Sequence, residues 1–267
     1  MRRLGHAFEF ILTVGQMAGK HSIKYPAAAL AYYAFVSQVP LLILVVAVLS
    51  DQLVTQIQRT TPDFLTPDAQ QLLSEALVTA SGQTGAALLA VSVLAWSGAN
   101  IVIGFQEVVN RVEHTPRESF RTQLRDASSV LGSFGLVIVA VIITTVAFTL
   151  LPIGRVLSYG EPLVQFGMLT IAFLPLYYGP SRVVRSLTAA LPGAMTAAIG
   201  WTVLLTAIRF YANNASQYAL YGVLSGIIII LTSFYLGAIV LMLGAIVNTV
   251  TADTNHLEGW EGSTRRR

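Results

Sequence analysis

The sequence predicts an all-α integral membrane protein with six transmembrane helices and both termini in the cytoplasm. Three observations predict it. Charged residues make up 11% of the 267-residue chain, 54% of it is hydrophobic and mean hydropathy is +0.67, whereas a soluble domain carries about 25% charged residues. Marking every Asp, Glu, Lys and Arg leaves six long uninterrupted stretches. The basic residues between those stretches cluster on alternate connections. This composition excludes a disordered tail, a nucleic-acid-binding module and an ordinary cytosolic enzyme.

The charge-free stretches are Tyr25–Ser50, Ala76–Gln106, Ala127–Gly154, Pro162–Ser181, Ser186–Ile208 and Phe210–Ala252. About 20 apolar residues cross a bilayer as a helix, and a charge at mid-membrane costs roughly 2.5–3.5 kcal/mol on insertion scales. Each stretch is therefore long enough to cross. The last exceeds one helix, and its polar front, FYANNASQYAL (210–220), reads as an interfacial segment before the final span. Spans are expected at about 28–50, 84–106, 128–151, 162–180, 188–209 and 221–248, within a transmembrane domain of residues 25–252.

Residues 1–24 read as an N-terminal interfacial helix, with Phe8, Ile11 and Leu12 turned to lipid, and residues 253–267 as a cytoplasmic tail. No cleavable signal peptide is expected, because the first apolar run is long and lacks an A-x-A cleavage pattern. The connection 51–80 is expected to hold a short outer helical segment. There Thr66 can cap a helix with Pro67 at its first position and Asp68 in its first turn. Thirteen Lys and Arg residues fall on the N-terminal segment, the connections after spans two and four, and the C-terminus. Only Arg59, Arg155 and Arg209 fall on the other side. The positive-inside rule then places both termini in the cytoplasm. It also accounts for the basic pI without a nucleic-acid partner.

Polar residues inside the spans supply the candidate functional positions. Pro40 lacks a backbone N–H and clashes with the carbonyl of Val36, so the first span should kink there. Tyr33, Ser37 and Pro40 share one face of that helix. Together with Gln38, Asn100 in span two and Tyr177 in span four, they are the candidate lining of a cavity. Interhelical hydrogen bonding is the plainer reading of Ser37 and Gln38. Glu107 and Arg111, four residues apart, form a candidate inner ion pair. That pair is either a solvated helix end or a gate. On the last span Gly222, Gly226, Ser233, Gly237, Gly244 and Asn248 repeat with an 11-residue period and form one stripe. Small residues in a stripe let another helix backbone approach closely, which makes this span a packing post.

Chemistry is constrained by what the spans lack. The 13 acidic residues lie outside the spans or at their edges, and His6, His21, His114 and His256 all lie in loops or tails. Buried carboxylates and histidines carry the proton relays of pumps, so proton coupling of that kind is disfavoured. No cysteine is present, which excludes disulfides and thiolate chemistry. The sequence carries no HExxH, P-loop or GxSxG motif. No enzyme activity, cofactor or metal is expected.

Four segments, in order, resemble the YihY/BrkB family of six-span membrane proteins. They are AAALAYYAFVSQVPLLIL (27–44), VLAWSGANIVIGFQEVVNRV (93–112), LPLYYGPSRVVRSLTAALPGAM (174–195) and the stretch from Tyr218 through Tyr235 to GAIVN (244–248). The family's last helix usually reads Gly-Ala-Glu, and Ile246 stands here where that Glu would be. Ser233 stands near the place of a usual Trp. The resemblance implies a cytoplasmic-membrane protein of a bacterium or archaeon, linked to envelope maintenance or to transport of lipid-like molecules. The expected partners are therefore membrane lipids. The family's historical ribonuclease BN label implies tRNA processing, but no part of the sequence resembles a nuclease site. A non-transporting membrane scaffold is the alternative of another class, with its function in segment 51–75 or 107–126.

Overall fold

The computed structural model describes residues 2–41, 44, 84–115, 120–150, 160–213 and 222–264. Among them the chain forms seven helices and no strand. These are α1 (Arg2–Lys20), α2 (Lys24–Val36), α3 (Thr84–Val112), α4 (Phe120–Leu150), α5 (Glu161–Tyr178), α6 (Leu187–Asn213) and α7 (Gly222–Thr264). The expected outer segment 51–80, the far end of the first span and the side chain of Phe8 lie outside the described residues.

Among the described residues, four helices hold segments long and apolar enough to cross a membrane: Leu88–Val112, Arg121–Phe148, Leu187–Tyr211 and Gly226–Ala252. In an apolar 18-residue stretch of each, only 22–28% of the residues are buried. Leu131, Ile138 and Ile142 on α4 and Leu88 and Ile103 on α3 stand exposed. Aliphatic surface of this extent is stable against lipid rather than water, and the helices satisfy their own backbone hydrogen bonds there. Helix α2 has 13 residues and α5 has 18, and neither reaches that standard within the described residues.

The helices overrun the charge-free stretches. Helix α3 continues through Glu107 and Arg111, α4 starts ahead of Asp126, and α7 runs to Thr264. Charges mark where hydrocarbon ends, whereas the i→i−4 ladder continues until something stops it. Two ends show what does. After α1, Ile23 N–H bonds Ala18 O at 3.4 Å and Ser22 N–H bonds Gly19 O at 3.1 Å, with Ser22 at φ +48°. That is a Schellman cap with serine in the left-handed position usually held by glycine. After α3, Thr115 N–H reaches Asn110 O at 3.0 Å past His114 at φ +55°. The two caps bring the His21 and His114 rings edge-on, with centroids 5.9 Å apart. Near Pro40 the helix assignment is interrupted three residues earlier, while Ser37 N–H still bonds Tyr33 O and Leu41 N–H still bonds Ser37 O, both at 3.0 Å. Regular helix stops at Val36, Ser37 forms a turn, and helical geometry resumes over 38–41.

The chain divides into two compact units. One comprises residues 1–27, 102–203 and 237–267, and the other 28–101 and 204–236. In the first, α4 packs extensively on α5. The buried positions of α4 are Asp126, Val130, Ser133, Val137, Ala140 and Thr144, alternating by four and three residues. A 3.5-residue period keeps one seam against a neighbour, as in left-handed helix pairs. Leu169, Phe173 and Leu176 of α5 are buried, and Ser133 O–H donates to Ala172 O at 2.5 Å. In the second unit, Ala28, Ala31 and Tyr32 of α2 and Leu231, Thr232 and Tyr235 of α7 line an apolar groove of about 340 Å³.

Candidate functional site

The candidate cavity residues of the second unit sit on α2, its continuation and the middle of α3. Ser37 O–H donates to Tyr33 O at 2.7 Å, Gln38 to Ala34 O at 3.3 Å and Asn100 to Trp96 O at 2.7 Å. Each polar group thus donates to the backbone one turn earlier on its own helix, a bond that needs no partner helix. The Tyr33 ring meets Trp96 edge-on at 5.4 Å, so aromatic contact joins α2 to α3 beside Asn100. Pro40 is buried.

Tyr177 belongs to the first unit. It is 2% exposed, its O–H donates to Leu241 O of α7 at 2.8 Å, and its ring lies 6.2 Å from that of Phe105. The small-residue stripe of α7 divides along its length. Around Gly226 nothing approaches within 4 Å of where a Cβ would stand. At the other end Gly244 packs against Tyr177 and Gly193 so closely that a Cβ on either glycine would overlap its neighbour. Asn248 accepts from Gly193 N–H at 2.6 Å and donates to Ala190 O at 3.4 Å. Gly237 O accepts from the Trp201 indole at 3.3 Å. Gly222 lies at the first turn of α7 and Ser233 is half-buried.

A polar cavity of about 200 Å³ opens in the first unit where α3 ends and α4 begins. Ile103, Gln106, Glu107 and Asn110 line it from α3, spaced so that they share one helix face. Gln123 and Asp126 line it from α4, and Pro180 and Arg182 from the turn after α5. Glu107 contacts Arg111 at 3.4 Å, and both side chains are about half exposed, a geometry worth only about 0.3–0.5 kcal/mol. Asp126 is buried. Arg182 Nη2 donates to its Oδ2, and the more exposed Arg125 reaches Oδ1 at 3.4 Å. Behind the cavity the same turn is held by a second carboxylate: Glu113 accepts from Ser181 O–H and, at 2.7 Å, from Arg182 N–H. Burial raises the Glu113 carboxyl above its ordinary 4.5, opposed by Ser181 O–H, the Arg182 and Val183 N–H groups and the Arg182 charge.

The sequence profile of the family described as Virulence factor BrkB matches residues 14–266. The chain belongs to the BrkB family. A curated relative, the ribonuclease-like protein YfkH of Bacillus subtilis (strain 168), is 37% identical over 84 residues. That match spans 31% of this chain and 30% of the relative. No solved structure gives a significant match.

In this BrkB-family membrane protein, sequence reasoning singled out Glu107 and Arg111 but not the cavity that Glu107 borders. The polar face Gln106, Glu107, Asn110 and Glu113 was legible as a helical spacing. The partners Asp126 and Arg182 lie 56 residues apart in sequence, and no local pattern signals their meeting. Among the described residues, no three His, Asp or Glu side chains gather as metal ligands would. What the cavity offers instead is a set of charged and amide groups at the polar end of apolar helices.

Proposed function

We propose that this protein is a six-span protein of a bacterial or archaeal cytoplasmic membrane, with both termini cytoplasmic, that moves lipid-like molecules in envelope maintenance. The observation that carries this reading is the polar cavity at the charged end of helices whose flanks are apolar and exposed. An amphipathic substrate has both parts, and a lipid can enter such a site sideways from the bilayer. The clustering of Lys and Arg on alternate connections supports placing the cavity end in the cytoplasm. Membrane lipids are then its partners, and no nucleic acid, cofactor or catalytic step is required.

The test is purified protein in liposomes carrying a trace of acyl-labelled fluorescent phospholipid, with a membrane-impermeant quencher added outside. We expect quenching of the inner-leaflet pool at least several-fold faster than in protein-free liposomes. A rate equal to that of empty liposomes sinks the transport reading and favours the scaffold. The name of the Bacillus relative supports a further alternative, RNA cleavage. It would be favoured if nuclease-free purified protein processed a precursor tRNA.

A further inference from the structure

We propose that α1 is a docking surface for an anionic lipid leaflet. This goes beyond an interfacial placement, because it specifies the charge of the lipid, and it does not depend on lipid transport.

Helix α1 presents three faces. Phe10, Val14 and Met17 are half-buried and His21, just past its end, is buried. Their spacing of four, three and four residues keeps one face on the protein, and the His21 ring meets His114 after α3 within the same compact unit. Glu9, Thr13, Gln16 and Lys20 repeat that spacing and are exposed, which makes a polar face. The third face is apolar. Ile11 and Leu12 on it are 66% and 46% exposed. Gly15 and Gly19 continue it, and nothing approaches within 4 Å of where a Cβ would stand on either. An exposed apolar strip beside a polar face is the pattern of a helix lying in a lipid–water boundary.

The chain fixes the depth. Helix α1 ends at Lys20, and the charge-free stretch begins at Tyr25. Tyr25 is 68% exposed, and Lys24 Nζ stands 5.1 Å from the centre of its ring. Tyr and Lys at the start of an apolar span stand at headgroup level. A three-residue turn ties α1 to that level.

Charge selects the lipid. Residues 1–24 hold Arg2, Arg3, Lys20 and Lys24 against one acid, Glu9. Lys20 and Lys24 are exposed. Arg2 and Arg3 open α1, whose first turn holds no acid, and the helix dipole adds positive charge at that end. A helix of 19 residues is about 28 Å long, so its two basic ends meet separate headgroups of a leaflet and cannot share one small soluble anion. A second copy of the chain would set two such basic helices side by side, which like charge opposes. Acidic phospholipids complement both ends at once.

The experiment uses the full chain, whose lack of cysteine lets Leu12→Cys and Gln16→Cys each carry a single nitroxide. The protein is reconstituted in phosphatidylcholine bilayers with and without phosphatidylglycerol. Electron paramagnetic resonance then measures collisions of the label with oxygen, which dissolves in lipid, and with a water-soluble nickel chelate. With phosphatidylglycerol present, we expect the oxygen-to-nickel ratio to be at least five-fold higher at Leu12 than at Gln16. Omitting phosphatidylglycerol, or combining Lys20→Glu with Lys24→Glu, should lower the Leu12 ratio at least two-fold. The lipid comparison leaves both lysines in place, so it decides the matter even where the charge-reversed variant folds poorly. A Leu12 ratio equal to that of Gln16, or one indifferent to phosphatidylglycerol, overturns the proposal. Few collisions with either reagent at Leu12 also overturn it and assign the strip to a second copy. The expected ratios in a protein that moves no lipid would sink the transport reading and leave this surface standing.

Discussion

The amide of Asn248 satisfies two backbone groups of α6 at once, Gly193 N–H and Ala190 C=O, beside Pro192. Replacing Asn248 by Leu leaves both groups without that partner, and thermal unfolding in detergent should show a loss of about 1–3 kcal/mol. Gly193→Ala drives a methyl into the Gly244 carbonyl, which cannot move aside, and should cost a similar amount. Gly226→Ala meets open space and should be neutral or gain up to about 1 kcal/mol from helix propensity. Glu113 gives a second residue-scale expectation. Its folded-state pKa lies above the unfolded value of 4.5, so the folded protein binds the proton more tightly. Its contribution is then most favourable below pH 4.5 and is lost as pH rises through the folded pKa. Glu113→Gln carries no such loss. Its melting temperature relative to the parent should therefore climb between pH 4.5 and 7, and a difference that stays flat would contradict the burial argument.

At the scale of helices, legibility followed the physics of each signal. The long apolar stretches of α3, α4, α6 and α7 were plain in the sequence, because a bilayer demands many consecutive apolar residues and penalises each charge. Helix ends were less so. The two Schellman caps use Ser22 and His114 in place of glycine, so the usual marker for them is missing. The turn at Ser37 lies within one helical turn of Pro40, whose missing N–H is a local signal. The buried seam of α4 was not, because on a helix that is apolar all round, lipid-facing and partner-facing residues look alike. The same blindness explains the site. Nothing local marks Asp126 or Ser133, yet they bond Arg182 and Ala172 across 56 and 39 residues. Tyr177 stood out as polar at membrane depth, but only its contact with Leu241 O, 64 residues away, shows that its hydroxyl joins α5 to α7.

For the whole molecule the open physical question is how many times the chain crosses, because α2 and α5 are short while the other four spans are long. The basic residues carry the argument. If only α3, α4, α6 and α7 crossed, the termini and the connections near residues 56, 158 and 186 would all share one side. Arg59 and Arg155 would then lie with nine of the 13 inner basic residues, while Arg111, Arg117, Arg121 and Arg125 would move to the other side with Arg209, and most of the charge asymmetry would be lost. If α2 and α5 cross as well, residues 56 and 158 lie outside with the two sparse arginines, and residue 186 stays inside beside Arg182 and Arg185. Because the chain contains no cysteine, single substitutions report each position without background. We expect Gln56→Cys and Ser158→Cys to react with an impermeant maleimide on intact cells, and Ser22→Cys and Ser186→Cys to react only after lysis. Protection of all four in intact cells would support four crossings, and the polar cavity would then have to be reached by a substrate without the help of α2 and α5.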